Sequence, residues 1–265
     1  MKPGMMRFVP KLALAVAIIG MAPPAARAAG QLPGIYGQDT REIVAPDKWP
    51  WTAIGRVNRA GYRNRGLCTG TLIAPRHVLT AAHCLYDAGA KRWSKPDEVF
   101  FLPGYRGGEA LAQTRVAMIH VAPGYRPDLG KPDFVSDWAV LTLSEALSIR
   151  PVPLRAMPSA DLAGAGRFAA AGFAQDRPHA LSVDFACRPE PALAPSPLIG
   201  HRCNATRGQS GGPLLLLSGG EVAIAGIVVG GRYRRGGEEI ETLASIFLGT
   251  AAFLDPVARI TGRRN

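Results

Sequence analysis

Gly208-Gln209-Ser210-Gly211-Gly212-Pro213 is a tight glycine turn with one hydroxyl at its centre. A serine hydroxyl is a weak nucleophile until a base takes its proton, so a base must be brought to it. Glycines on either side let backbone N–H groups approach the oxygen of a group under attack. A Gly/Ser cluster by itself is only a turn. This one is accompanied upstream by Thr80-Ala81-Ala82-His83-Cys84 and, between the two, by Ser136-Asp137-Trp138-Ala139-Val140-Leu141. Histidine, then aspartate, then serine is the chain order of one of the convergent hydrolase triads.

Outward from these motifs lie short segments rich in β-branched and apolar residues, punctuated by Gly, Pro, Asn and Asp. They fall at 51–57, 67–74, 78–80, 98–102, 115–121 and 138–143, and again at 168–173, 181–186, 213–217, 222–229 and 243–248. Many short strands with few helical patterns predict an all-β barrel or sandwich architecture. Pro151, Pro153 and Pro158 interrupt the pattern around 148–163 and divide the chain into two halves. One helix is expected near the C-terminus, where Phe253, Leu254, Val257 and Ile260 recur at three- and four-residue steps, and its apolar face is expected to cover a barrel.

With its three motifs in this order, the chain resembles the trypsin/chymotrypsin-like serine peptidases, above all their bacterial, glutamyl-endopeptidase-like branch. The resemblance runs from Trp51 to Ile260. It implies two antiparallel six-stranded barrels with an active site in the cleft between them, and a short C-terminal helix. The peptidase domain is expected over 48–265, with barrels at about 48–150 and 151–265, preceded by an irregular lead-in at 29–47 that includes a possible short pro-segment.

The first 28 residues read differently. Lys2, Arg7 and Lys11 precede the apolar run 12–21, and Ala26-Arg27-Ala28 is a small-x-small cleavage site. This predicts a secretory signal peptide, its apolar run being too short to span a bilayer. A secreted or periplasmic protein of a bacterium, free of the membrane after cleavage and monomeric, is expected. The four cysteines agree with an oxidising compartment, where three full pairings are open. Pairing neighbours, Cys68–Cys84 and Cys187–Cys203, closes two loops of similar size. The spacing lacks CxxC and there is no HExxH, so no metal site and no cofactor are expected. The formal charge is +11; Lys2, Arg7, Lys11 and Arg27 carry four of the positives in a segment without acids, which leaves +7 (11 less 4) after its removal. Without a basic-aromatic stripe this reads as a solvated basic surface, not a nucleic-acid-binding one.

The chemistry is assigned residue by residue. Ser210 is the nucleophile and His83 its base; His77, His120, His179 and His201 lack a comparable setting and read as surface or packing residues. Asp97, Asp128 and Asp133 compete with Asp137 for the third place. Asp137 is preferred because it opens an apolar strand that would desolvate its carboxylate and force it to pair. By resemblance, the amides of Gly208 and Ser210 form the oxyanion hole. Gln209 departs from the family, whose zymogens place there an aspartate that pairs with a freshly freed N-terminal amine. Ile35-Tyr36-Gly37 resembles the family's mature start, yet no basic residue precedes it, so activity is expected to be independent of such a switch. Counting back six residues from Ser210 places the floor of the family's specificity pocket near Asn204, and by resemblance Val228, Val229, Gly230 and Gly231 border it. Val229 and Gly230 stand where the family has serine and tryptophan. Arg207 and the cluster at 232–235 are candidates for favouring acidic side chains, and a solvated charged loop is the other reading. A serine endopeptidase acting on proteins or peptides is thus expected. A silent binding protein on the same scaffold and an esterase or amidase with the same triad are the alternatives.

Overall fold

The computed structural model describes residues 1, 32–59, 66–129, 132–157, 162, 166–190, 196–236 and 239–262. The expected signal peptide lies, Met1 aside, outside the described residues. The strands are β1 (Arg41–Ile43), β2 (Ile54–Arg59), β3 (Gly66–Ala74), β4 (His77–Thr80), β5 (Tyr86–Asp87), β6 (Arg92–Trp93), β7 (Val99–Pro103), β8 (Thr114–Val121) and β9 (Ala139–Leu143). The second half carries β10 (Arg167–Gly172), β11 (Ser182–Asp184), β12 (Pro189–Glu190), β13 (Leu198–His201), β14 (Pro213–Ser218), β15 (Glu221–Gly236) and β16 (Glu239–Gly249), followed by helix α1 (Leu254–Thr261).

The first half closes into a six-stranded barrel in the order β2-β3-β4-β9-β8-β7. Ile54, Val57, Leu72, Leu79, Phe101, Leu102 and Leu141 are buried in its core, and closure leaves this barrel without an exposed edge. The second half forms a half-barrel, and with the short C-terminal helix the two halves make up the expected chymotrypsin-like, nearly all-β fold. This half-barrel is an open eight-stranded sheet in the order β1-β11-β10-β14-β15-β16-β13-β12. Its two ends, β1 and β12, are only three and two residues long and are not paired with each other.

Both chain ends cross to the opposite half. The segment expected as an irregular lead-in supplies β1, which pairs antiparallel with β11 (Glu42 opposite Val183) in the second sheet. At the other end, α1 lays Phe253 and Val257 into the core that also contains Trp138 and the first barrel's residues. The Phe253 and Trp138 rings lie 6.2 Å apart. The helix stops at Gly262, whose left-handed φ of 68° closes the last turn. Strands β5, β6, β12 and β13, of two to four residues, fall outside the segments read from the sequence.

Candidate active site

A cleft of about 560 Å³ runs between the halves, and His83, Asp137 and Ser210 all line it. His83 sits in the single 3-10 turn Ala82–Leu85 that follows β4. Ala81 and Ala82 are fully buried, so their small side chains let this turn press against the core. Cys84 is bonded to Cys68 of β3, which fixes the turn's far side.

Asp137 precedes β9 and is only 3% exposed. Its Oδ1 accepts the backbone N–H of His83 at 2.9 Å, and its Oδ2 lies 2.6 Å from His83 Nδ1. A buried carboxylate with two bonds from one residue fixes the ring's position and assigns the Nδ1 proton, leaving Nε2 as the acceptor. Of the competing aspartates, Asp128 pairs with Arg126 at the surface and Asp133 caps the Ser136 amide at 3.3 Å. The Asp137 charge also acts on a neighbour: burial, and then the carboxylates of Asp137 and Asp133, raise the Tyr125 phenol above its ordinary value.

The serine turn is held from both halves. Thr69 of β3 donates its N–H to Ser210 O at 2.8 Å and its hydroxyl to Gly208 O at 3.0 Å, while Thr69 Oγ1 accepts from Phe173 N at 2.9 Å. Gly211 N donates to Val228 O at 2.7 Å, and Gly212 N to Gln209 O at 2.8 Å. Gly211 has φ +77°, and a Cβ there would collide with Thr80 Oγ1 and Thr69 O, so the residue after Ser210 has to be glycine. Among the described residues no acceptor within the protein takes the amide hydrogens of Gly208 or Ser210.

The pocket differs from its sequence reading. Asn204 is not at the floor of the cleft. It is buried in a separate cavity with Ile35, Tyr36 and Thr40. There its Oδ1 accepts Tyr36 N at 2.7 Å, and its Nδ2 donates to Gln38 O at 3.0 Å and Thr40 Oγ1 at 2.9 Å. Counting back from the serine placed it one step too early, since Ala205, Thr206 and Arg207 are the residues of this segment that line the cleft. Val228, Val229, Gly230 and Gly231 do line it. Where the family carries tryptophan, Gly230 leaves room for Phe134: a Cβ on Gly230 would lie 2.8 Å from the Phe134 ring. The aromatic wall thus comes from the loop before Asp137.

His201, read as a packing residue, is a missed member of the cleft wall. It is 2% exposed and stacks on Phe247 with ring centroids 3.9 Å apart. Its Nδ1 accepts Cys203 N at 3.2 Å, which assigns the proton to Nε2, and Nε2 has no partner among the described residues. Burial pushes this imidazole down to about 3, so it is a neutral donor. No local signal marks it, because β13 is too short to be read and Phe247 and Ser245 arrive from β16. Arg207 is exposed at the cleft; Arg232 and Arg234 are exposed on the outer reach of β15 and do not line it. Cys187 is bonded to Cys203. The sulfurs of Cys68 and Cys84 lie close to His83 but are joined to each other, so neither is a thiolate ligand.

The trypsin family model matches residues 40–249, and the chain belongs to that family. Serine protease 23 of Bos taurus is 28% identical over 200 residues, 67% of this chain and 50% of that protein. Its Rattus norvegicus counterpart is 31% identical over 201 residues, 67% of this chain and 49% of that protein. Inactive serine protease 35 of Rattus norvegicus is 26% identical over 235 residues, 69% of this chain and 55% of that protein. The chain spans about half the length of these curated relatives. A solved structure of a Glu endopeptidase in complex with MPD shares the fold, with a TM-score of 0.66 at 20% identity over 86% of this chain and 100% of that one.

Proposed function

We propose that the protein is an exported serine endopeptidase that cleaves beside acidic side chains. The observation that carries the peptidase reading is the buried Asp137 carboxylate, 2.6 Å from His83 Nδ1, in a cleft whose opposite wall carries Ser210. Ser210 Oγ attacks the peptide carbonyl carbon and its proton passes to His83 Nε2. The resulting oxyanion is received by the amides of Gly208 and Ser210. His83 then protonates the leaving amine, and water, deprotonated by His83, releases the acid from the acyl-enzyme. Asp137 stabilises the imidazolium throughout. Two disulfides support an oxidising compartment, and no helix among the described residues is long and apolar enough to cross a membrane.

His201 supports the choice of substrate. A buried N–H donor without an acceptor costs about 1–3 kcal/mol. A glutamate or aspartate carboxylate in the cleft supplies that acceptor, whereas a lysine or arginine brings another donor. Exposed Arg207 adds positive charge at the cleft.

The test is labelling of the purified protein with a fluorophosphonate, followed by a casein digest and a peptide library. Labelling at Ser210 with cleavage after Glu or Asp is expected, and Ser210→Ala is expected to lower turnover on the order of 10⁶-fold without unfolding the chain. Labelling without proteolysis points to an esterase or amidase. No labelling points to a silent scaffold, the reading favoured by a relative that is itself called inactive.

A further inference from the structure

Gln209, the residue before Ser210, is fully buried. Its main chain and side chain both close the turn: its N–H donates to Thr206 O at 3.1 Å, and its Oε1 accepts Thr206 N at 2.9 Å. Behind that oxygen, at 3.5 Å, stands Nη1 of Arg41. The Arg41 side chain has no exposed surface. Its other contacts are with two carboxylates: Nε and Nη2 with Asp39 at 2.9 and 2.8 Å, Nη1 and Nη2 with Asp176 at 3.1 and 2.7 Å. Arg177 completes the cluster, donating to Asp39 Oδ2 at 2.6 Å and to Arg41 O at 2.7 Å. Two cations and two carboxylates balance, so the guanidinium is fixed in direction as well as in place.

The same stretch of chain is sewn to the segment before the serine by four further hydrogen bonds. Ala205 N donates to Gly34 O at 2.9 Å, Tyr36 N to Asn204 Oδ1 at 2.7 Å, and Asn204 Nδ2 to Gln38 O and Thr40 Oγ1. Gly34 approaches so closely that a Cβ there would collide with Ala205 O. Ile35 takes part as an ordinary mid-chain residue, its peptide N–H bonded to Leu32 O at 3.1 Å. The fixed positive charge beside Gln209 comes from the Arg41 side chain.

We propose that residues 34–41 form a built-in brace for the serine turn, with Arg41 the positioning residue that holds Gln209, and through it the Gly208 and Ser210 amides, in working orientation without cleavage ahead of Ile35. This rests on the peptidase reading above. Arg41 touches no substrate; it acts through Gln209, and its loss is felt where the oxyanion forms.

Two measurements on the full exported protein test it. First, the fluorophosphonate-labelled wild type is weighed intact. The labelled species is expected to retain residues ahead of Ile35; labelling confined to a species that begins at Ile35 overturns the brace. Second, kcat and KM are measured for Arg41→Ala, Gln209→Glu and the double variant. Arg41→Ala is expected to lower kcat about 100-fold with KM within threefold. Gln209→Glu is expected to lower kcat about tenfold, because the new carboxylate is buried beside a cluster whose two cations and two carboxylates already balance. The double variant should fall at least tenfold below the product of the two singles, since that carboxylate is then buried without its partner. Additive effects, or an unchanged kcat in Arg41→Ala, overturn the proposal. Should Arg41→Ala not fold, Arg41→Lys keeps the charge without the fork; a tenfold loss of kcat supports the proposal and an unchanged kcat ends it. A wild type that neither labels nor hydrolyses peptides overturns the peptidase reading itself.

Discussion

The two halves of this molecule share one cleft but are built to different standards. The first is a closed barrel whose strands satisfy one another, and it presents His83 and Asp137 from a turn and a strand mouth locked by buried alanines, a disulfide and Trp138. The second is an open sheet that borrows its edge strand β1 from the chain's beginning and holds the serine turn with partners from elsewhere: Thr69 of the barrel, Arg41 and Asn204 of the incoming chain. A base and its carboxylate need a fixed geometry whatever the substrate, and a closed barrel provides it. The serine turn and the pocket must be shaped around a substrate, and an open sheet with outside braces lets residues from distant strands meet there. On the proposed peptidase reading, the closed half would handle the proton and the open half would shape the substrate site.

After loss of Ser210 itself, the largest expected effect breaks the first half's contribution alone. Asp137→Asn keeps the shape but removes the acceptor that sets the His83 tautomer, and kcat is expected to fall on the order of 10⁴-fold with the melting temperature little changed. A loss under tenfold would show that the barrel's carboxylate is not what orients the base.

Next come the two disulfides, which offer a matched comparison because each spans a sequence separation of 16. Replacing either pair by alanines is expected to cost about 3 kcal/mol of stability on the chain-entropy account. The consequences for activity should differ. Cys84 Sγ lies 3.9 Å from His83 Nε2 and 3.8 Å from Ser210 O, so loss of Cys68–Cys84 should also lower kcat at temperatures where both variants are folded. Equal kcat values for the two variants would remove the distinction between the halves.

Thr69→Val tests the joint between them. It leaves the buried amide of Phe173 without its acceptor and Gly208 O without its donor, at a cost of about 1–3 kcal/mol. Calorimetry should detect that loss together with a fall in kcat; a fall in stability alone would mean that the barrel does not steady the turn.

The last comparison belongs to His201. Its folded value of about 3 lies below the ordinary 6.5, so between those limits the unfolded chain binds a proton that the folded chain refuses. Stability from this residue is present above about pH 6.5 and is lost as pH falls towards 3. His201→Phe keeps the stack on Phe247 and removes this share, so its melting temperature should drop less than the wild type's between pH 7 and pH 4. Parallel profiles would show that His201 is not held neutral by burial.

The barrel half was largely legible. Its six strands fall within a few residues of the segments at 51–57, 67–74, 78–80, 98–102, 115–121 and 138–143, because stretches rich in apolar and β-branched residues bounded by turn residues carry their own signal. Asp137 was legible for the same reason, standing at the mouth of such a run. The open half was less so. Asn204 was assigned to the pocket by counting residues, but its amide answers to Tyr36, Gln38 and Thr40, more than 160 positions away. His201 and Phe134 give no sign in their neighbourhoods that they line a cleft.

What the sequence by itself determined is the inventory: an all-β chain in two parts, a serine turn, a histidine and an aspartate in triad order, and cysteines set in neighbouring pairs. Only the tertiary structure decided that one part closes and the other stays open, that the incoming chain braces the serine turn, and that a buried imidazole joins the cleft wall. Alternation, turn chemistry and spacing act over a few residues and are written locally. Which donor meets which acceptor across the core is fixed only when distant strands pack and exclude water, and no window of sequence contains both partners.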